Sequence, residues 1–487
     1  MRNVPSDERP REVSVRRSSI VMLTACLLFA TFTAAAGDSE LSFRVRRLTD
    51  RVLVFTENSP WEINHVVIVG KDGLVLVDPG HTPLISRLIR HAVAEELGRD
   101  RFDYVIDTHG HWGHTLGNAG YPEALVIGHE LATPAIEGEA VNIERRVEFL
   151  QRQIVQVDAR LADLDPASEE AATARLQRDH FDRIVRGLSE PGFAIRAPQL
   201  TFSDRLRLDL GDLTLEMRYL GRGHSDSDIV VLIPEEKILL MGCFFLEQGA
   251  LPVFGTQPVL DPDRWLEVLD EVLDPQIGVE YVVLGQHTVW PPERLAAMRD
   301  YIFRLWSEIK ALDAEGVDFE TAMARIPVPA ELDFIREAGA TEEDLARYHQ
   351  TEVAALWRQL QESAAAAIEL AINDGGAEAG VARYRDMVAA DSSDVYFDEN
   401  EFNLLGYRLL GQDRVDAAIS VFELNVERYP DSWNVYDSLG EACAVKGDTK
   451  RAIELYRRSV ELNPNNINGV QAIERMGGEV PAAPDNI

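Results

Sequence analysis

Three histidines fall within six residues in Thr108-His109-Gly110-His111-Trp112-Gly113-His114. Imidazoles crowded into one loop resist simultaneous protonation and suit a cation, which they bind through neutral ring nitrogens. A lone histidine is more often a packed structural residue, and Gly110 and Gly113 by themselves are consistent with a plain polar turn. Downstream company argues against that reading. Gly223-His224, Gly242-Cys243 and Gly285-Gln286-His287 each follow an apolar, strand-like run. Imidazole nitrogen and thiolate sulfur are good zinc ligands, and three histidines with an open fourth position bring the pKa of a bound water to about 7.

Such groups need a scaffold, and the flanking pattern supplies one. β-branched runs at 51–55 and 65–69, a turn at 71–73 and a third run at 74–77 read as strands. Asp78-Pro79-Gly80 ends the last of these, a helical pattern covers 83–97, and a short strand at 104–106 delivers the histidine loop. A charged, Ala/Leu/Arg/Glu-rich helical insertion follows over about 130–198, broken at Asp165-Pro166. Strands resume at 206–210, 214–219, 229–233, 238–241 and 281–284. Strand, helix, strand, then a ligand-rich loop predicts an α/β fold with its site at strand C-terminal ends.

Asp78-Pro-Gly80, Thr108-His-Gly-His-Trp-Gly-His114, Gly223-His-Ser-Asp226, Gly242-Cys243 and Gly285-Gln-His287 resemble the five successive motifs of the metallo-β-lactamase superfamily, in the family's order. The resemblance covers roughly residues 43–295. It implies a four-layer αβ/βα sandwich with metal at one edge of the two sheets. It also implies that His109, His111 and His224 form a first zinc site, and that His114 and His287 belong to a second, to which Cys243 could add a thiolate. Asp78 resembles the aspartate that orients a ligand-bearing loop without touching metal.

Two departures stand out. Gly113 replaces the aspartate that precedes the last histidine of the family's motif, and Cys243 stands where a bridging aspartate is usual. One subclass of true β-lactamases has cysteine there, binding only the second metal. The count of zinc ions, one or two, is therefore open, and so is the role of Cys243, which also reads as a small buried strand-end residue. Asp226 and Asp228 resemble acidic residues that commonly follow this histidine without ligating metal. Trp61, Trp112 and Trp290 read as packing near the site loops.

The remaining chain sets the context. With 487 residues, 46% hydrophobic and 27% charged, the protein exceeds one ordinary core and reads as two or three folded units. A net charge of −34, from 48 basic and 82 acidic residues, makes nucleic acid and anionic membrane poor partners. Residues 1–36 read as a signal peptide: Arg16-Arg17, an apolar run over 20–32, and small residues ending at Ala36. A periplasmic or secreted address follows as an expectation, with no membrane span after leader removal. A lipid on Cys26 is the weaker alternative, because the apolar run continues past it.

Beyond about Pro291 the pattern is helical. Leu405, Gly406, Ala418, Phe422 and Pro430 recur 34 residues later as Leu439, Gly440, Ala452, Tyr456 and Pro464. That period with those residue types is the tetratricopeptide signature. The expected division is a metallo-β-lactamase-like domain over 37–300 and a helical linker over 301–390. Repeats follow over 391–475, then a tail over 476–487. Part of the linker, 352–390, is open to reading as a degenerate first repeat. Cys443 reads as a small buried residue of the repeat core.

The function expected from the resemblance is a zinc hydrolase. Metal-bound hydroxide attacks an ester, thioester, lactam or related bond of a small-molecule substrate, while the repeats recruit a protein partner or help shape the substrate entrance. A non-catalytic scaffold and a true β-lactamase are the competing readings.

Overall fold

The computed structural model describes residues 30–33 and 41–481, apart from 72, 249–250, 254–258, 338, 391–394 and 465. Strands whose residues are buried on both faces organise it. In Leu74–Val77, for example, Val75 and Val77 point into the space between two sheets and Leu74 and Leu76 point towards helices. A strand with helices on one side and a second sheet on the other has no polar face, hence its unbroken apolar sequence.

The first sheet contains β1 (Ala30–Thr33), β2 (Ser42–Arg47), β3 (Val52–Glu57), β4 (Asn64–Val69), β5 (Leu74–Val77), β6 (Phe102–Ile106), β7 (Leu125–His129) and β8 (Leu200–Phe202). These lie side by side in chain order. Pairing is antiparallel up to β5 and parallel from β5 to β8.

The second sheet begins with β9 (Arg205–Asp209), β10 (Thr214–Tyr219), β11 (Ile229–Ile233) and β12 (Ile238–Leu240). A hairpin of β13 (Leu246–Gln248) and β14 (Leu251–Val253) intervenes before β15 (Tyr281–Val283) and β16 (Val289–Trp290) complete the order β16-β15-β12-β11-β10-β9. Only β12 and β15 run parallel there.

Four layers result. Val54, Ile68, Val77, Ile106, Met217, Val231 and Leu240 fill the space between the sheets. Outside the first sheet, Leu76, Phe102 and Val126 pack against Ile85 and Ile89 of the helix Pro83–Leu97 and Ile184 of the helix Glu169–Leu188. Outside the second, Leu232, Leu239 and Val282 meet Trp265 and Leu269 of Pro262–Val272, with Met298 and Ile302 of Pro292–Ala314. Each helix buries one stripe and wets the other, as amphipathic helices on a sheet must.

The insertion folds as the hairpin Ile143–Asp163 and Glu169–Leu188, with Ser168 capping the second helix. Thr82 likewise caps Pro83–Leu97 by accepting from the Ile85 amide.

Within 301–390 the packing divides. Leu345, Val353 and Leu356 of Glu342–Trp357 join the core outside the second sheet, whereas Ile368, Tyr384 and Met387 of Ala364–Ala390 join the repeat core. Gly376, at φ 78° and ψ −172°, breaks the latter into two helices. The repeat region continues with Glu399–Gly411, Val415–Arg428, Trp433–Lys446, Thr449–Leu462 and Ile467–Arg475. A Cβ on Gly406 would stand 2.4 Å from the Phe422 ring, and one on Gly440 3.2 Å from that of Tyr456, so the 34-residue period marks two matching close approaches of paired helices.

Ala30–Thr33, inside the expected leader, pairs with β2 as the edge strand of the first sheet. The expected cleavage point at Ala36 and the alternative Cys26 lie outside the described residues. Among the described residues no helix is long and apolar enough to cross a membrane.

Candidate metal centre

Parallel strands bring their C-terminal ends to one edge of a sheet, and both sheets use that edge here. β5 ends at Val77 and leads to Asp78, β6 leads through Asp107 and Thr108 into the histidine loop, and β12 and β15 lead to Gly242-Cys243 and Gly285. Crosslinks join the two edges. The Ile229 amide donates to the Thr108 carbonyl, the Gly110 amide to Ser227 Oγ at 2.9 Å, and Asn64 to the carbonyls of Leu284 and Gly285.

Asp78 organises the histidine loop. It adopts φ 58°, an unusual angle for which aspartate is one of the tolerant residues. Its Oδ1 accepts the Thr108 amide at 2.9 Å and its Oδ2 the Thr108 hydroxyl at 2.8 Å. That hydroxyl has a single proton, so its 3.0 Å contact with His109 Nδ1 requires the ring to donate. His109 is thereby set with Nδ1 protonated and Nε2 carrying a lone pair. Among the described residues this buried Nε2 has no hydrogen-bond partner.

The other groups converge on it. One donor atom each of His109, His224 and Cys243 lie within 4.8 Å of one another, as do those of Asp78, His109 and His114. His111 Nδ1 is 2.8 Å from His224 Nε2, and His114 Nε2 is 3.2 Å from Cys243 Sγ. Asp78 Oδ2 also lies 3.2 Å from His114 Nδ1, but without hydrogen-bond geometry, and among the described residues that buried nitrogen has no hydrogen-bond partner. The distances thus cross the division into two sites that the family resemblance implies, with His109 as the common member.

His287 is in neither group. Its Nδ1 is 3.2 Å from Glu62 Oε2. Asp228, rather than facing the cluster as a replacement carboxylate, accepts from the amides of His224 and Ser225 and from the Ser225 hydroxyl. Burial raises its pKa to about 7 against the pull of those bonds. Asp226, exposed, pairs with half-buried Arg222 at 3.6 Å.

Burial, reinforced by neighbouring imidazoles, keeps the rings neutral. It holds His109 well below the usual histidine range, with His114, His111 and His224 adding to the effect. His111 is lowered to about 4 by burial, then His114 and Arg146, and His224 to about 2 by burial, then His111 and His114. Burial pushes the Cys243 thiol up, with Asp78 and Asp228 contributing. Neutral nitrogens and a thiol form a donor set that a divalent cation satisfies and extra protons do not.

The sequence reading passed over four further residues beside this cluster: Glu57, His65, His81 and His180, all essentially inaccessible to solvent. The available signal was the position of His81, directly after Asp78-Pro79-Gly80. Nothing local in the inserted helix marked His180. Trp61 stacks on His81 at 5.2 Å and meets His180 edge-on at 4.7 Å, while Trp112 lies 4.9 Å from His81. Trp290 is buried in the core outside the second sheet.

A two-sheet sandwich presenting imidazoles and a thiol along one sheet edge defines an α/β protein built around a metal-competent edge. Residues 59–287 match the metallo-beta-lactamase superfamily and residues 433–466 the tetratricopeptide repeat, so the chain carries a metallo-β-lactamase superfamily domain followed by a tetratricopeptide repeat. A curated relative, the metallo-beta-lactamase type 2 of Bacteroides fragilis, is 25% identical over 273 residues, spanning 54% of this chain and 88% of its own. Among solved structures, a metallo-beta-lactamase from Pontibacter korlensis covers 53% of this chain and 98% of its own at 14% identity and a TM-score of 0.35. The sec-alkylsulfatase Pisa1 from Pseudomonas sp. covers 90% of this chain and 66% of its own at 15% identity and a TM-score of 0.45.

Proposed function

We propose that the chain is a zinc-dependent hydrolase acting on an ester, thioester, lactam or related bond of a small molecule. One observation carries this reading: the lone pair of His109 Nε2, fixed by the Asp78–Thr108 chain, is buried without a partner amid neutral His224, His111 and the Cys243 thiol. Those four residues would hold the ion, with His114 beside Cys243. Zinc so bound supplies Lewis acidity towards a polarised carbonyl and lowers the pKa of a coordinated water.

The chain's own groups do the rest. Asp78 and Thr108 keep His109 in the ligating tautomer, Asp228 fixes the loop bearing His224, and Ser227 ties that loop to Gly110. Trp61 and Trp112 pack on each other and on His81, and reach the insertion at His180 and Arg146. An extracytoplasmic address, resting on the leader pattern of residues 1–36, and a protein partner for the repeats belong to the same proposal. A groove of about 610 Å3 between the helix Ile143–Asp163 and the repeats, flanked by the Arg145–Glu441 ion pair, offers a surface for that partner.

The test pairs metal content by mass spectrometry with turnover of chromogenic esters, thioesters, a lactone, nitrocefin and a secondary alkyl sulfate. Zinc-containing wild type should turn over at least one of these, lose that activity to a chelator and regain it with zinc, and His111→Ala should lose metal and activity together. An active metal-free protein overturns the reading. A metal-loaded protein inert across the panel favours the scaffold alternative. Nitrocefin alone turned over favours a true β-lactamase, a reading supported by Cys243 and by the name of the Bacteroides fragilis relative.

A further inference from the structure

We propose that Glu57, His81 and His180 form a second, closed metal site, taking a divalent first-row transition ion of the zinc class and fastening the inserted helical hairpin to the first sheet. The inference does not depend on the first centre being catalytic.

Three separate segments converge here. Glu57 ends β3, His81 follows the turn after β5, and His180 comes from the helix Glu169–Leu188 of the insertion. One donor atom from each lies within 4.8 Å of the other two. All three side chains are essentially sealed from solvent. Among the described residues, Glu57 Oε2, His81 Nδ1 and both ring nitrogens of His180 have no hydrogen-bond partner. Buried polar atoms are normally paired, and three residues that each bring an unpaired one to the same small space are matched by a common partner.

The chemistry of the partner follows from the donors. Glu57 Oε1 receives His65 Nε2 at 3.1 Å, and His65 Nδ1 lies 2.6 Å from the Asp78 carbonyl. Burial works against the charged form of Glu57, but the His65 hydrogen bond and the neighbouring imidazoles outweigh it and hold its pKa down at about 2, so Glu57 remains a carboxylate. Arg183, one turn beyond His180, also acts on that carboxylate. Neither neighbour answers the lone pairs of His81 and His180, which are closed to protons by burial in the same way as the first cluster. One carboxylate oxygen with two imidazoles is a zinc donor set, equally acceptable to cobalt.

A rearrangement at position 113 belongs to the same picture. Gly113 lies in the short helical turn Trp112–Thr115, where any residue fits the backbone. A Cβ there would stand 3.3 Å from His81 Nε2. His81 therefore borders the space into which the family's usual aspartate would project. Loss of one ligand at 113 accompanies a new donor set a few ångströms away. All three donor residues are sealed from solvent and Trp61 stacks on His81, so the site offers substrate no path, and its structural role rests on this burial rather than on its ligand count.

The test uses the full chain dialysed against micromolar zinc, with metal counted by mass spectrometry and folding checked by circular dichroism. His180→Leu should bind one ion fewer than wild type, while His224→Ala should lose a different ion, the double variant losing both. Equal zinc in wild type and folded His180→Leu overturns the proposal. Should His180→Leu fail to fold, wild-type crystals grown with zinc decide: an anomalous peak among Glu57, His81 and His180 supports the site, and its absence overturns it. An unchanged count in His224→Ala would instead overturn the first centre, so the two readings fail separately.

Discussion

His81 Nε2 stands 3.3 Å from the point where a side chain on Gly113 would begin. Cβ contacts that short are tight, so a larger group at 113 enters only if His81 moves. Gly113→Asp is therefore expected to destabilise the fold by about 1–3 kcal/mol, the ordinary cost of overpacking. Adding His81→Ala should relieve part of that cost. A double-mutant cycle in urea measures the coupling, and additive effects would show that the two residues do not compete for space.

Asp78 acts on metal through Thr108. Thr108→Val deletes the hydroxyl that fixes His109 and leaves Asp78 Oδ2 without its donor. Zinc affinity should fall about 10–100-fold, the usual effect of losing a group that orients a ligand. Competition with a chromogenic chelator reads this directly, and unchanged affinity would remove Asp78 and Thr108 from the metal's support.

Acid should unfold the metal-free protein early. Folded His111 and His180 are lowered to about 4 and His224 to about 2, with His81 and His109 also well below the usual range. Between about pH 6.5 and 4 the unfolded chain therefore takes up protons that the folded chain refuses, and stability falls as pH falls. Burial raises Asp107 and Asp228, which act in the opposite direction, but two carboxyls do not offset five imidazoles. Each net proton is worth on the order of 1 kcal/mol per pH unit. Thermal melts of chelator-treated protein across this window should show a steadily dropping Tm, and a flat profile would contradict the assignment.

In the repeats, Gly406→Ala places a methyl against the Phe422 ring. Repeat stability should drop by about 1–3 kcal/mol, while zinc content stays at the wild-type value, since Gly406 and the metal ligands lie in different cores. Limited proteolysis with metal analysis checks both halves.

Much of the architecture was legible because periodicity reports burial. Runs such as 74–77 and 229–233 are apolar at every position and could only be strands between two layers, and the spacing of Gly406 and Gly440 against Phe422 and Tyr456 announced paired helices. Shorter or more polar strands escaped: Ser42–Arg47 alternates with arginine, and Leu200–Phe202 has three residues, too few for a period.

At the site, the sequence alone determined which residues are ligand-type and which strand ends deliver them. His109, His111 and His114 share one loop, and the glycine-flanked His224 and Cys243 each follow an apolar strand. Only the tertiary structure decided the grouping, bringing His109 close to Cys243 as well as His224 and leaving His287 on Glu62. It also decided the neighbours. His180 lies in an insertion that reads as an ordinary amphipathic helix, and it meets Glu57, more than a hundred positions earlier, only because that helix packs across the first sheet. Spacing along a chain encodes which face a residue occupies within its own element, whereas contacts between elements are set by how those faces pack, and that information is spread over the whole core.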